Sequence, residues 1–259
     1  MGTLLYGPES EVFNQYAAVS PAPGDNGSGG QIAQRGVQAL GQQLILADGS
    51  KFRFARAGEL LVLGEVLQAF DTPATDISMA AVATAIGSRT ISFTHGGATT
   101  VINFFAEGWA IVSLDPGQGN RYKIASHLAL TSGGADVVNL APGHAVRGAA
   151  LTTTSDVTLV NHVCDGVITM PATPLAALAG VAVLAIASGS FGWIQTRGIA
   201  SVIMAASTVS GNNVGCLLAA GTAGAVAPLS AATQPVVGVA QVGGLSAGMT
   251  GAVNLMIDG

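Results

Sequence analysis

From Gly166 to Gly259 the chain carries two formally charged side chains, Arg197 and Asp258, and no histidine. A domain that poor in charge cannot turn its whole surface to water and stay dispersed, because solubility rests on interspersed charge and small apolar patches. The deficit runs through the whole protein: 9% of residues are charged, against about 25% in an average soluble domain. Disordered chains show the reverse pattern, rich in charge and short of apolar residues, whereas 49% of this chain is hydrophobic. The chain therefore folds, and part of its surface is expected to be covered by copies of itself or by a partner. Symmetric contacts do this economically, since they hide the same patch on every copy.

Regular alternation begins near residue 43. Gln43 to Ala47 and Lys51 to Arg56 flank Asp48-Gly49-Ser50, a hairpin signal. In the second arm Phe52 and Phe54 alternate with Lys51, Arg53 and Ala55, as a half-buried strand requires. Further β-like segments follow at Leu60–Ala69, Thr90–Thr94, Trp109–Leu114, Arg121–Ala125, Asp136–Leu140 and Val157–Asn161, with turn residues between them. Ile77 to Ile86, rich in Ala, reads as a short helix or another strand. The charge-poor region adds Val181–Ile186, Trp193–Thr196, Ser201–Met204, Val214–Leu218, Val236–Val242 and Val253–Ile257, separated by Gly, Ser, Asn and Thr. This rhythm predicts a mainly β protein of barrel or sandwich type and not a βαβ fold. Residues 1–36 are broken by Gly7-Pro8, Pro21-Ala22-Pro23-Gly24 and Asp25 to Gly30, and so predict an extended N-terminal arm. The expected layout is that arm, a β-rich domain over 37–165 and a charge-poor β-barrel or sandwich over 166–259.

Several function classes are excluded at this level. The net charge of −5, with Lys51 and Lys123 as the only lysines, argues against a nucleic-acid partner, whose phosphates need clustered cations. Met1 to Tyr6 followed by Gly7-Pro8-Glu9 does not read as a secretory signal. The most apolar run, Leu175 to Ala187, holds thirteen residues, fewer than the roughly twenty of a membrane-spanning helix, so no membrane is expected. Cys164 and Cys216 are too far apart to imply a disulfide framework and read as buried thiols.

No cofactor is expected, and no residue set reads as catalytic. Gly244-Leu245-Ser246-Ala247-Gly248 matches the nucleophile turn of hydrolases, yet no histidine follows Ser246 to serve as base. His162 and Cys164 fall on one side of a strand, but zinc needs three or four ligands and no third is evident. Glu59 and Glu65 would suit a glycosidase only if the fold set their carboxylates against each other. The expectation is a protein that is not an enzyme.

Certain segments resemble those of phage virion proteins. They include Leu46 to Gly58 with Leu60 to Ala69 behind it, the opening Leu5-Tyr6-Gly7-Pro8 with Val12-Phe13-Asn14, Tyr122 to His127, and Phe191 to Gly198. The C-terminal region, with Val236 to Ala240 and Val253 to Ile257, is similar to the trimeric β-barrel decoration (cement) proteins of tailed-phage capsids. Membership of that family implies a homotrimer on the outer surface of the virion, made in the host cytoplasm, with an arm lying on the major capsid protein and no enzymatic activity. Another phage structural part, a tail, head-fibre or baseplate component, is the alternative. The expected assembly contacts are Tyr6, Phe13 and Tyr16 in the arm, with Phe191, Trp193 and Arg197 in the C-terminal region, since aromatic residues and Arg dominate interface energetics.

Overall fold

The computed structural model describes residues 5–15, 38–97, 99–205, 215–218, 222–228, 235–241 and 247–258. Among them there is no α-helix; strands are joined by turns and two short 3-10 helices, Glu9–Phe13 and Ala74–Asp76. In chain order the strands are β1 (Leu5–Tyr6), β2 (Gln43–Ile45), β3 (Lys51–Arg56), β4 (Val66–Gln68), β5 (Met79–Ala80), β6 (Thr90–Thr94), β7 (Trp109–Leu114) and β8 (Arg121–His127). They continue as β9 (Ala135–Leu140), β10 (Asp156–Val160), β11 (Ile168–Thr169), β12 (Leu178–Ala182), β13 (Phe191–Ile203), β14 (Gly215–Leu218), β15 (Val226–Pro228), β16 (Val236–Ala240) and β17 (Thr250–Met256). The mainly β class expected from alternation is what the chain adopts.

The strands fall into two compact units, and these do not follow the boundaries expected at 36/37 and 165/166. One unit gathers the described residues of 5–15, 38–70 and 163–258, and the other spans 71–162. The reason is strand pairing. β3 is hydrogen-bonded along β13 from Phe191↔Arg56 to Arg197↔Lys51, and β4 pairs with β11 and β12. The hairpin that opens the predicted 37–165 domain is thus built into the charge-poor sheet.

In the first unit the strand order is β1-β2-β3-β13-β17-β16-β14-β15, with β12 joining β13 to β4 and β11 on β4. β13, at thirteen residues, organises the sheet. Its first half lies between β3 and β12, and its second half pairs with β17 from Arg197↔Met256 to Ile203↔Thr250. Met204 then bridges Val226 of β15, and the Ala205 N–H donates to the Val226 carbonyl at 2.9 Å. The strand order thereby returns to β13, giving a nearly closed barrel. Its interior is filled by small branched side chains such as Val202, Val237, Val253 and Leu255, all buried. At Gly238 a Cβ would stand 2.2 Å from the Asn254 carbonyl oxygen, so β16 and β17 approach too closely there for any side chain.

Residues 5–15, expected within the extended arm, pack on this same unit. β1 runs parallel to β2, and Val12 is buried with Leu44, Phe52, Phe54, Phe191 and Trp193. Val12 is the buried residue of the short 3-10 helix, and the Gln38 amide donates to Glu11 beside it at 3.2 Å.

The second unit is a six-stranded sheet of order β5-β10-β7-β8-β9-β6. Ala81, directly after β5, bridges Phe93 of β6, so the two ends of that order also meet. Burial alternates cleanly along β6, β7 and β10, and the inward residues Ile91, Phe93, Val112, Val157 and Leu159 form a core with Phe105, Tyr122 and Ile124. Period-two burial of this kind is the physical signature of a sheet with one wet face.

Candidate assembly surface

Where β13 passes from β3 to β17, a short run of residues fixes the geometry of the neighbouring surface. The register slips between Gln195 and Arg197, and Gly198 takes φ +88°. The Gln195 amide donates to the carbonyls of Arg197 (3.0 Å) and Ile199 (3.1 Å), spanning the kink. Arg53 on β3 grips Asp258 with Nε and Nη2 at 2.6 and 2.9 Å, and the Thr196 hydroxyl donates to the same carboxylate at 3.1 Å. These donors hold the Asp258 carboxyl below the usual carboxylate range, with the Arg53 hydrogen bonds the main cause.

The kink aims the second half of β13 outward along β17. Directly paired residues share a face, so the pairs Arg197–Met256, Ile199–Asn254, Ser201–Ala252 and Ile203–Thr250 form one solvent-facing strip, extended by Val239 of β16 opposite Asn254. Arg197 is the one charged side chain among them. Ile199 and Met256 are 60% and 61% exposed.

Beside this strip lies an open cavity of about 320 Å3. Val12, Phe52, Ala182 and Ala200 are its buried lining, and Phe13, Leu63 and Ile199, at 56%, 53% and 60% exposure, stand at its rim. Glu9 and Asp48 are the charged residues that line it. The Ser50 backbone N–H (2.9 Å) and hydroxyl (2.8 Å) donate to Asp48 and hold its carboxyl below the usual range.

The residues expected as assembly contacts separate in this geometry. Phe13 and Arg197 are exposed, Phe13 at the cavity and Arg197 on the strip. Phe191 and Trp193 are not on the surface at all. Phe191 stacks on Phe54 with ring centroids 5.8 Å apart, and Trp193 meets Phe54 edge-on at 5.2 Å, both fully buried in the core of the first unit. On this half of β13 both faces are covered: Phe191 and Trp193 pack with Val12, Leu44, Phe52 and Phe54, and Ile194 packs with Leu61 and Leu67. Tyr6 is on β1, paired with Ile45, and Tyr16 lies outside the described residues. Sequence reasoning missed Leu63, Ile199 and Met256, because an exposed aliphatic side chain is indistinguishable from a core one until the chain around it is placed.

The chemical candidates are accounted for by structural contacts. Glu59 and Glu65 do converge, but on Thr169: Glu59 Oε1 accepts its backbone N–H at 2.7 Å and Glu65 Oε2 its hydroxyl at 3.0 Å, tying the 59–65 loop to β11. Cys164 is buried, and burial pushes its thiol up to about 12. The neighbouring Asp165 is paired with Arg56. In the second unit His95 is enclosed, with Nε2 2.7 Å from Asp76 and Nδ1 3.9 Å from Asp136. Among the described residues no group of three or more His, Cys, Asp or Glu is placed to hold a metal ion, and no helix is long and apolar enough to cross a membrane. Ser246 lies outside the described residues. Comparison with family models, characterised proteins and solved structures gives no match.

Proposed function

We propose that this protein is a virion structural component that decorates and stabilises the capsid of a tailed phage, binding the outside of the major capsid protein shell as a homotrimer. One observation carries the reading: the solvent-facing strip of β13, β17 and β16 holds a single charge, with Ile199 and Met256 more than half exposed. Such a face loses free energy in water and regains it on contact with another apolar surface, at roughly 25 cal/mol per Å2 covered. In this reading the strip meets other copies, the N-terminal region up to residue 36 reaches the capsid protein, and no substrate is turned over.

The test is the mass of the full-length protein by light scattering, followed by sedimentation with capsids that lack it. A species of about three times the 25.6 kDa chain that pellets with capsids is expected. A monomer that stays in the supernatant overturns the proposal.

A further inference from the structure

The cavity beside the strip has a chemistry of its own. Its rim is apolar, and water against Phe13, Leu63 and Ile199 is displaced favourably by a large apolar side chain. At about 320 Å3 it lies at the low end of ligand sites, roughly 300–1,000 Å3, which is room for one bulky side chain and little more. The polar lining has one sign. Glu9 and Asp48 are carboxylates, and among the described residues no Lys, Arg or His lines the cavity. Of the side-chain donors that line it, the Gln195 amide gives hydrogen bonds to two carbonyls and the Ser50 hydroxyl goes to Asp48, which leaves the hydroxyl of the exposed Ser201. An anionic group brought here would find two negative charges and no cation to offset them.

From this charge complementarity we infer that the cavity receives a partner protein's segment in which a bulky apolar side chain adjoins an arginine or lysine. The apolar side chain fills the space between Phe13, Leu63 and Ile199, and the cation lies against Glu9 and Asp48. An arginine suits Asp48 well, because its fork of donors fits a carboxylate whose remaining lone pairs face solvent. Long-range attraction to two carboxylates also favours a basic segment on approach. The inference rests on reading this region as an assembly surface, but its test needs no capsid, so either can fail without the other.

The experiment is calorimetric titration of the full-length protein at low salt with a capped pentapeptide, GRWGS, and with its charge-reversed counterpart, GEWGS. Saturable binding of one GRWGS per chain is expected, with GEWGS roughly tenfold weaker or undetected. Replacing the exposed Glu9→Gln should weaken GRWGS roughly two- to fivefold, the range of a solvent-exposed ion pair. Adding Asp48→Asn should weaken it further, while Asn still accepts the turn hydrogen bond from Ser50. Higher salt should weaken the same peptide and flatten the difference between variants. Equal binding of the two peptides overturns the inference, as does no binding of GRWGS. Phe13→Ser should reduce peptide binding and leave the mass of the protein unchanged; a change of mass would mean that another copy of this chain occupies the cavity, which also overturns it.

Discussion

His127 shows how one buried side chain makes stability depend on pH. Its Nε2 accepts the Phe105 N–H at 2.9 Å and its Nδ1 stands 2.6 Å from the Leu128 carbonyl. A carbonyl only accepts and a backbone N–H only donates, so the ring is neutral with its proton on Nδ1. Burial lowers its pKa below the ordinary histidine value. The unfolded chain then binds a proton more readily than the folded one, and stability rises with pH across that interval. The contribution is complete above about 6.5, the unfolded value, and is lost as pH falls from there toward the lower folded value. Urea midpoints should therefore drop between pH 7.5 and 5.5, and His127→Gln should flatten that slope; an equal slope in both proteins would refute the assignment. Nothing in the sequence distinguished His127 from the other histidines, because its role comes from a loop carbonyl and a backbone N–H. Trp193 and Phe191 mislead in the same way. Aromatic residues suit an interface and a core equally, and the choice depends on what packs over that face of β13, here Val12 and its neighbours. Phe13 is exposed because the short 3-10 helix turns Val12, and not its neighbour, onto the sheet.

At the scale of elements, β13 is the piece on which the first unit depends, and Gly198 is its pivot. A Cβ at Gly198 would stand 2.5 Å from the Ser50 Oγ and 3.1 Å from the Ser50 Cα, at φ +88°. Gly49, in the β2–β3 turn, has nearly the same φ, +85°, but nothing within 4 Å of its Cβ position. The pair separates backbone strain from crowding. Gly49→Ala should cost about 1–2 kcal/mol from the left-handed backbone alone. Gly198→Ala should cost more, on the order of 1–3 kcal/mol for the strained backbone with the Ser50 contact in addition. Chemical denaturation of the two variants gives the comparison, and equal losses would mean that the kink tolerates a side chain. Local elements were readable where alternation and turn chemistry coincide, as in the Asp48-Gly49-Ser50 hairpin and in β6, β7 and β9. Leu60 to Ala69 was not: only Val66–Gln68 is a strand, and Leu60 and Leu63 are exposed in the loop before it. Trp193–Thr196 and Ser201–Met204, which read as two strands around Gly198, are parts of one, because glycine here bends a strand instead of ending it.

For the molecule as a whole, the low charge has two different explanations, and they make different predictions. Inside the barrel charge is excluded because the inward side chains, Val202, Val237, Val253 and Leu255 among them, are buried, where an unpaired charge is costly; composition hides this, since it cannot say which residues face inward. The domain boundaries were hidden for a related reason: β3 and β13 are far apart in sequence, and pairing between distant strands leaves no local signal. On the outward strip, by contrast, the fold does not forbid charge. Thr250 and Asn254 are exposed on it, and a carboxylate at either position could be hydrated in a single chain. If the strip is free in solution, Thr250→Glu with Asn254→Glu should change neither mass nor stability by much, since exposed substitutions usually stay within about 0.5 kcal/mol. If copies meet there, each change appears once per copy, and a closed symmetric contact gathers all the new charges into the interface. Removing carboxylates from water without partners is costly, so the assembly should dissociate while each chain stays folded. The expected result is a fall to monomer mass by light scattering with an unchanged far-ultraviolet spectrum. Leu128→Glu, at an exposed site of the second unit, is the control and should leave the mass as it was. A double variant with undiminished mass would place the covered surface elsewhere, and the charge-poor strip would then require a partner other than this chain.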